Sequence, residues 1–196
     1  MSISENESRW ISVTAGRATE VCARARLSAD AGGLITADLT PPQFVEMLSQ
    51  KGLYGDALLF LANALPKREA VWWACVCARS VIGHTQSRNS IAALEAAERW
   101  VRDTTEENRR VAFTAAEAAE LSTPAGCAAM AAFWSGGSLS PPDAPVVSPP
   151  DHLTAHGVAC AIQLTAVVTE PEKAREKYQR CLAFGIDIAK GNNRWK

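Results

Sequence analysis

Three places in this chain bring together side chains that could do chemistry. His152, His156 and Cys160 are spaced four residues apart, and imidazole and thiolate ligands at i and i+4 can share one helical face around a zinc ion. Thr154, however, reads as the N-cap of that helix, which sets His152 outside it and off that face. The pattern predicts histidines at a helix start, with no metal. Cys75 and Cys77 are separated by one residue. On a helix their thiols point about 200° apart, so they cannot share a metal, and the two-residue gap of a redox or zinc motif is missing. Gly126-Cys127 precedes Ala128-Ala129-Met130 and sets a thiol near a helix start, where the dipole favours thiolate. A catalytic role there would still need a histidine base from a distant part of the chain.

Other signatures of catalysis are missing from the sequence. It has no phosphate-cradling glycine loop, no G-x-S-x-G elbow and no H-E-x-x-H pair. Ser135-Gly136-Gly137-Ser138 is rich in glycine but ends a helix, the wrong polarity for gripping phosphate. Most acidic residues fall at helix caps or in i,i+4 pairs. The expectation is a protein without catalytic residues, cofactor or metal. Surface chemistry remains. Lys67, Arg68 and Glu69 stand beside a tryptophan pair, and Trp134 stands at the start of a proline-rich segment. These four are the candidate partner-binding residues, as a polar rim and an aromatic anchor for another protein.

The elements that would position these groups are helical. Trp72 and Trp73 sit in the uncharged run Ala70–Ala78, fenced by Glu69 and Arg79. Pro66 suits the first turn, and the charges at each end complement the dipole. With no polar face in between, this helix is expected to be buried nearly all round. A first helix is expected from Thr14 to Leu27, broken by Asp30-Ala31-Gly32-Gly33. Thr40-Pro41-Pro42-Gln43 reads as a capping box, Lys51-Gly52 as a stop, and Gly83–Asn89 as a polar connection. Ile91, Leu94, Ala97 and Val101 line one side of the next helix, with Glu95–Arg99 and Glu98–Arg102 pairs on its wet face. Thr104 through Glu107 reads as a second capping box. It leads a helix with a Glu106–Arg110 pair and an apolar stripe of Val111, Ala115, Ala118 and Leu121. Thr123-Pro124 begins a helix that ends at Phe133-Trp134. From Gly136 to Asp151 prolines and glycines forbid helix, and this connection is expected to lie across the surface. Thr154 with the staple Leu153/Val158, and then Pro171, start the last two helices.

No run of alternating β-branched residues marks a strand. The fold class expected is all-α: one domain over 14–190, an irregular bundle of about eight or nine helices, preferred over a helical-repeat-like array because no self-similar period is found, with loose tails at 1–13 and 191–196. The 136–153 connection is its long proline-rich surface segment. At 196 residues such a domain can close a core without staples. The six cysteines are expected to be reduced apolar fillers. A formal charge of −1 gives no reason to expect nucleic acid as a partner. The apolar runs are too short to cross a bilayer, and the polar, acidic N-terminus is no secretory signal, so a cytoplasmic location without membrane insertion is expected.

Three blocks in order, Leu65–Arg79, Ala131–Pro142 and Pro149–Ala155, resemble an uncharacterised bacterial family of helical proteins encoded near type VI secretion components. The resemblance runs from about Thr14 to Ala189 and supplies no catalytic residues. It implies an adaptor or chaperone-like accessory protein that binds a secreted effector or an apparatus component. The alternatives are an immunity protein neutralising a cognate toxin, and a small enzyme using Cys127 or His152 and His156.

Overall fold

The computed structural model describes residues 10–81, 87–192 and 195. Residues 1–9 of the N-terminal tail, 82–86 at the polar connection, and 193, 194 and 196 of the C-terminal tail lie outside them. Among the described residues there are ten α-helices and no strand. They are α1 (Ala18–Cys22), α2 (Ala29–Gly32), α3 (Pro41–Gln50), α4 (Tyr54–Ala64), α5 (Lys67–Arg79), α6 (Arg88–Arg102), α7 (Glu106–Ala119), α8 (Pro124–Phe133), α9 (His152–Val167) and α10 (Ala174–Ala189). A 3₁₀ turn, Pro171–Lys173, leads into α10. Eight of the ten helices are at least seven residues long, so the all-α irregular bundle read from the sequence is the observed architecture.

Local chemistry sets most of the helix ends. Gln43 reaches back to accept hydrogen bonds from Thr40 N at 3.0 Å and Thr40 Oγ1 at 2.9 Å, starting α3 where the capping box placed it. Thr123 Oγ1 accepts from Gly126 N at 3.0 Å and starts α8 with Pro124 at its first position. The N-cap of α7 is Thr105, one residue beyond the expected threonine; its hydroxyl accepts from Asn108 N at 3.3 Å. At the N-terminus the helix expected over Thr14–Leu27 is only the short α1, and beyond it Ser28 accepts from Ala31 N and caps α2. Asp30–Gly32 therefore continue a helix instead of breaking one.

α5 runs through the middle and packs on α6, α8, α9 and α10. Trp73 is fully buried, and its Nε1–H donates to Cys181 O of α10 at 2.7 Å. A Cβ on Gly185 would lie 2.6 Å from the Trp73 ring and 2.7 Å from Leu61, so α10 meets α5 at a position open only to glycine. The helix is not interior on every side, as the sequence suggested. Trp72 and Val76, one turn apart, are half-buried, and Trp72 meets Trp195 edge to face at 6.5 Å. The two tails are better held than expected over their described residues. Trp10 is buried, Ser12 N donates to Ala189 O at 3.0 Å, and Trp195 also lies under the Arg68 guanidinium.

Two helix faces differ from the expected ones. In α6, Glu98 is buried and pairs with Arg79 of α5 through two 2.8 Å bonds; it does not lie on a wet face with Arg102. In α7 the buried stripe is Arg109, Ala112, Ala116 and Ala119, whereas Val111 and Leu121 are exposed. Among the described residues no single helix is long and apolar enough to cross a membrane; α9 and the α10 segment pass together, but bend by 118° where they meet.

Trp73→Phe removes the indole donor and part of the buried ring, and is expected to lower unfolding free energy by about 2–4 kcal/mol. Gly185→Ala forces the ring to shift and is expected to cost about 1–3 kcal/mol. Urea unfolding followed by tryptophan fluorescence and circular dichroism checks both; an unchanged midpoint for either would break the proposed seat.

Candidate functional site

α8 and α9 run antiparallel at unusually short range because the residues between them are small. A Cβ on Gly157 would sit 2.9 Å from Ala131 Cβ, so only a glycine admits this approach. On one side of that crossing the Thr154 hydroxyl donates to Trp134 O at 3.0 Å. On the other, Cys127 Sγ lies 3.2 Å from Cys160 Sγ. Thr154, expected as an N-cap, is instead buried inside α9; Asp151 holds the cap position. That correction brings His152 into the helix, stacked edge to face on His156 at 5.1 Å, with His156 Nδ1 2.9 Å from His152 O. Nδ1 then carries the hydrogen as donor to the carbonyl. Among the described residues no three His, Cys, Asp or Glu side chains gather closely enough to hold a metal ion.

Beside the crossing opens a cleft of about 560 Å³ lined by α4, α8 and α9. Leu59, Leu121, Met130 and Trp134 give it an apolar wall, and Cys127, Cys160 and His156 border it. Asp56, also on the lining, is engaged by α2: it accepts from Ser28 N at 2.7 Å and Ser28 Oγ at 2.9 Å. Cys127 is buried, and the Cys127 S–H points at two acceptors, Cys160 Sγ and Leu121 O at 3.1 Å. Donating to the other sulfur pushes the Cys127 thiol up and holds Cys160 below the ordinary thiol range. Burial pushes Cys75 up, and Cys77 likewise, with the Cys181 thiol beside Cys77 pushing it further. All six cysteines are free thiols. The juxtaposition of Cys127 with Cys160 and of Cys77 with Cys181 escaped the sequence reading, since partners stand on separate helices.

The four residues read as a binding surface divide. Trp134 is half-buried on the cleft wall. Arg68 is engaged internally: its Nε donates to Val101 O at 2.6 Å and its NH2 to Arg102 O at 3.0 Å, closing the C-terminus of α6. Lys67 lies 3.6 Å from Asp151 in a second cleft of about 460 Å³. Glu69 is half-buried in the first turn of α5. The structure thus does not gather these four on one face of the cleft.

The edge that carries Trp134 is clamped by a residue the sequence reading passed over. Arg109, buried on α7, donates from NH1 to Phe133 O at 2.6 Å and from NH2 to Ser138 O at 2.9 Å. Its guanidinium also stacks on the Phe133 ring at 4.5 Å and forms a two-pronged pair with Glu106 at 2.6 Å. The expected Glu106–Arg110 pair is present as well, at 2.8 Å. The signal available was a buried-face spacing of three and four residues, 109-112-116-119, whose other members are all alanine. Ser138 then organises the proline-rich segment: its Oγ accepts from Ser140 N and Val147 N, both at 3.1 Å, and Leu139 N donates to Val147 O at 2.8 Å. The segment lies on the surface as expected, with Val146 and Val147 exposed.

The described residues define an all-helical bundle with an apolar cleft between α4, α8 and α9. The chain belongs to a family of unknown function (DUF6931), whose profile matches residues 44–189. That span covers α4 to α10, hence the entire cleft and the clamp around it. No curated protein and no solved structure matches the chain.

The two arginines hold the Glu106 carboxyl at about 2, against an ordinary 4.5. A carboxyl lowered on folding adds stability above pH 4.5, and that contribution drains away as pH falls toward 2. Glu106→Gln is therefore expected to lower Tm at pH 7, with the gap to wild type closing as pH falls through this window. Thermal unfolding between pH 7 and 2 reads it; a gap independent of pH would contradict the assignment.

Proposed function

We propose that the chain is a non-catalytic interaction module whose working surface is the cleft between α4, α8 and α9. The observation that carries this reading is Trp134, a half-buried ring on an apolar wall, fixed by the Thr154 bond to its carbonyl and by the Arg109 clamp on the preceding one. Rigid aromatic side chains beside an apolar hollow are the usual anchors of protein recognition, because little entropy is lost when they are covered. The resemblance carried by Leu65–Arg79, Ala131–Pro142 and Pro149–Ala155 directs such a module to type VI secretion. There it would serve as a cytoplasmic adaptor or chaperone-like accessory protein, with an effector or apparatus component seated by an apolar segment in the cleft. Trp134 falls inside the second of those blocks.

One observation favours a second reading, a small enzyme: Cys127 and His156 border the same cleft. Against it, Cys127 is buried and its thiol is pushed up, the opposite of what a nucleophile needs.

The test is recovery of the tagged protein from its native cell, with bound proteins identified by mass spectrometry. Wild type is expected to bring down a secretion effector or apparatus component, and Leu59→Arg and Trp134→Ala to lose it by at least about tenfold, or 1.4 kcal/mol. Cys127→Ala and His156→Ala are expected to keep the function, whereas an enzyme would lose it. Absence of any secretion component, or full retention by both cleft variants, overturns the reading.

A further inference from the structure

The Cys127–Cys160 pair has three properties that the other thiols do not combine. The sulfurs already touch at 3.2 Å. They border an open cleft, and Cys160 is half-buried, so reagents can reach it. The helices that carry them are locked in register by the Ala131–Gly157 crossing and the Thr154–Trp134 bond. Forming a disulfide bond of about 2.05 Å requires the sulfurs to close by only about 1.2 Å. The second neighbouring pair, Cys77 and Cys181, is buried in the core between α5 and α10. Cys22 is half-buried on α1.

We propose that Cys127 and Cys160 form a redox modification site that reacts with low-molecular-weight disulfides, with Cys160 as the attacking thiol and Cys127 as the resolving one. In the first step the Cys160 thiolate attacks one sulfur of the small disulfide RS–SR. A Cys160–S–S–R bond forms, the RS–SR bond breaks, and the departing thiolate takes up the proton that Cys160 released. In the second step Cys127 Sγ attacks Cys160 Sγ and expels the remaining RS group, which leaves with the Cys127 proton. The protein dithiol is oxidised by two electrons, and the small disulfide is reduced to two thiols. The contact geometry favours this order. Cys127 donates its hydrogen toward Cys160, which keeps the outer sulfur the better nucleophile and holds the inner one beside it for the second step. The product staples α8 to α9 beside the cleft. This site goes beyond the binding role and does not depend on it.

The experiment mixes the reduced full-length protein with dipyridyl disulfide, a small apolar probe suited to the cleft lining. Released pyridinethione is followed by absorbance, and the acid-quenched products are mapped by mass spectrometry. Wild type is expected to release two thiones per molecule in its fast phase. It should end as a Cys127–Cys160 disulfide lighter by two hydrogens, at least about tenfold faster than Cys22 reacts. Cys127→Ser is expected to release one thione and retain the pyridylthio group on Cys160, and Cys160→Ser to lose the fast phase. The wild-type map is decisive even where a variant folds poorly. If Cys160 reacts no faster than Cys22, or keeps the pyridylthio group while Cys127 stays reduced, the proposal fails. Partner recovery is read separately, so either proposal can fall alone.

Discussion

A buried indole N–H must find an acceptor, and here the acceptor is a carbonyl in the body of another helix. Carbonyls inside a helix already serve their own ladder, and side chains one turn on usually cover them. Cys181 O is reachable by Trp73 because the residue one turn on is Gly185, whose missing Cβ leaves the indole its place. This one contact sets the distance and rotation of α10 against α5. The C-terminal half of α10 in turn receives the chain start through Ser12, and its N-terminal half stacks Tyr178 on Tyr54 at 5.6 Å. With α5 fixed on one side by α10, its opposite faces are free to seat α6, α8 and α9. The position of the cleft follows from that arrangement.

Charge in this protein works mainly as clips between helices. Arg68 leaves α5 to close the carbonyls at the end of α6, and Arg109 leaves α7 to close the end of α8. Each places a guanidinium where the dipole of another helix is negative and where several carbonyls need donors. Arg79 and Glu98 fasten α5 to α6 in the same way, through two parallel bonds. A fork of N–H donors is suited to such work, which a lysine could not reproduce at equal geometry. Arg68 thus spends donors from both Nε and Nη2 on carbonyls of α6 within the fold.

The legible part of the sequence was the part written in local chemistry. Thr40-Pro41-Pro42-Gln43 and Thr123-Pro124 announce α3 and α8 to the residue, because capping depends on neighbours only. Legibility failed where small residues carry the packing. The large side chains Val111 on α7 and Leu121 just past its end drew the apolar stripe to the wrong face, while the helix buries alanines and one arginine. Alanine contributes little to a hydrophobicity pattern, yet it is the residue that permits close helix approach. Asp151 displaced Thr154 from the cap, since the Thr154 hydroxyl has a better use bonding Trp134 O across the helix pair. The cysteine contact was out of reach for another reason. Cys127 and Cys160 are 33 residues apart, and nothing short of the α8–α9 register brings them together.

The same small residues account for the cleft. Where Ala131 faces Gly157, two helices come close enough to need no filling side chains, and the backbone itself becomes the contact surface. α4 cannot follow them equally closely, because Leu59 stands on its facing side. The volume left between α4 and the close pair is bounded by Leu59 on the α4 side and by Cys127, Met130, Trp134, His156 and Cys160 on the other. A core of this kind lacks the methylene groups that would close the gap from within. A hollow of about 560 Å³ is left open there. The close packing that brings the two sulfurs into contact thus follows from alanine and glycine at the α8–α9 crossing, and the open space lies beside it.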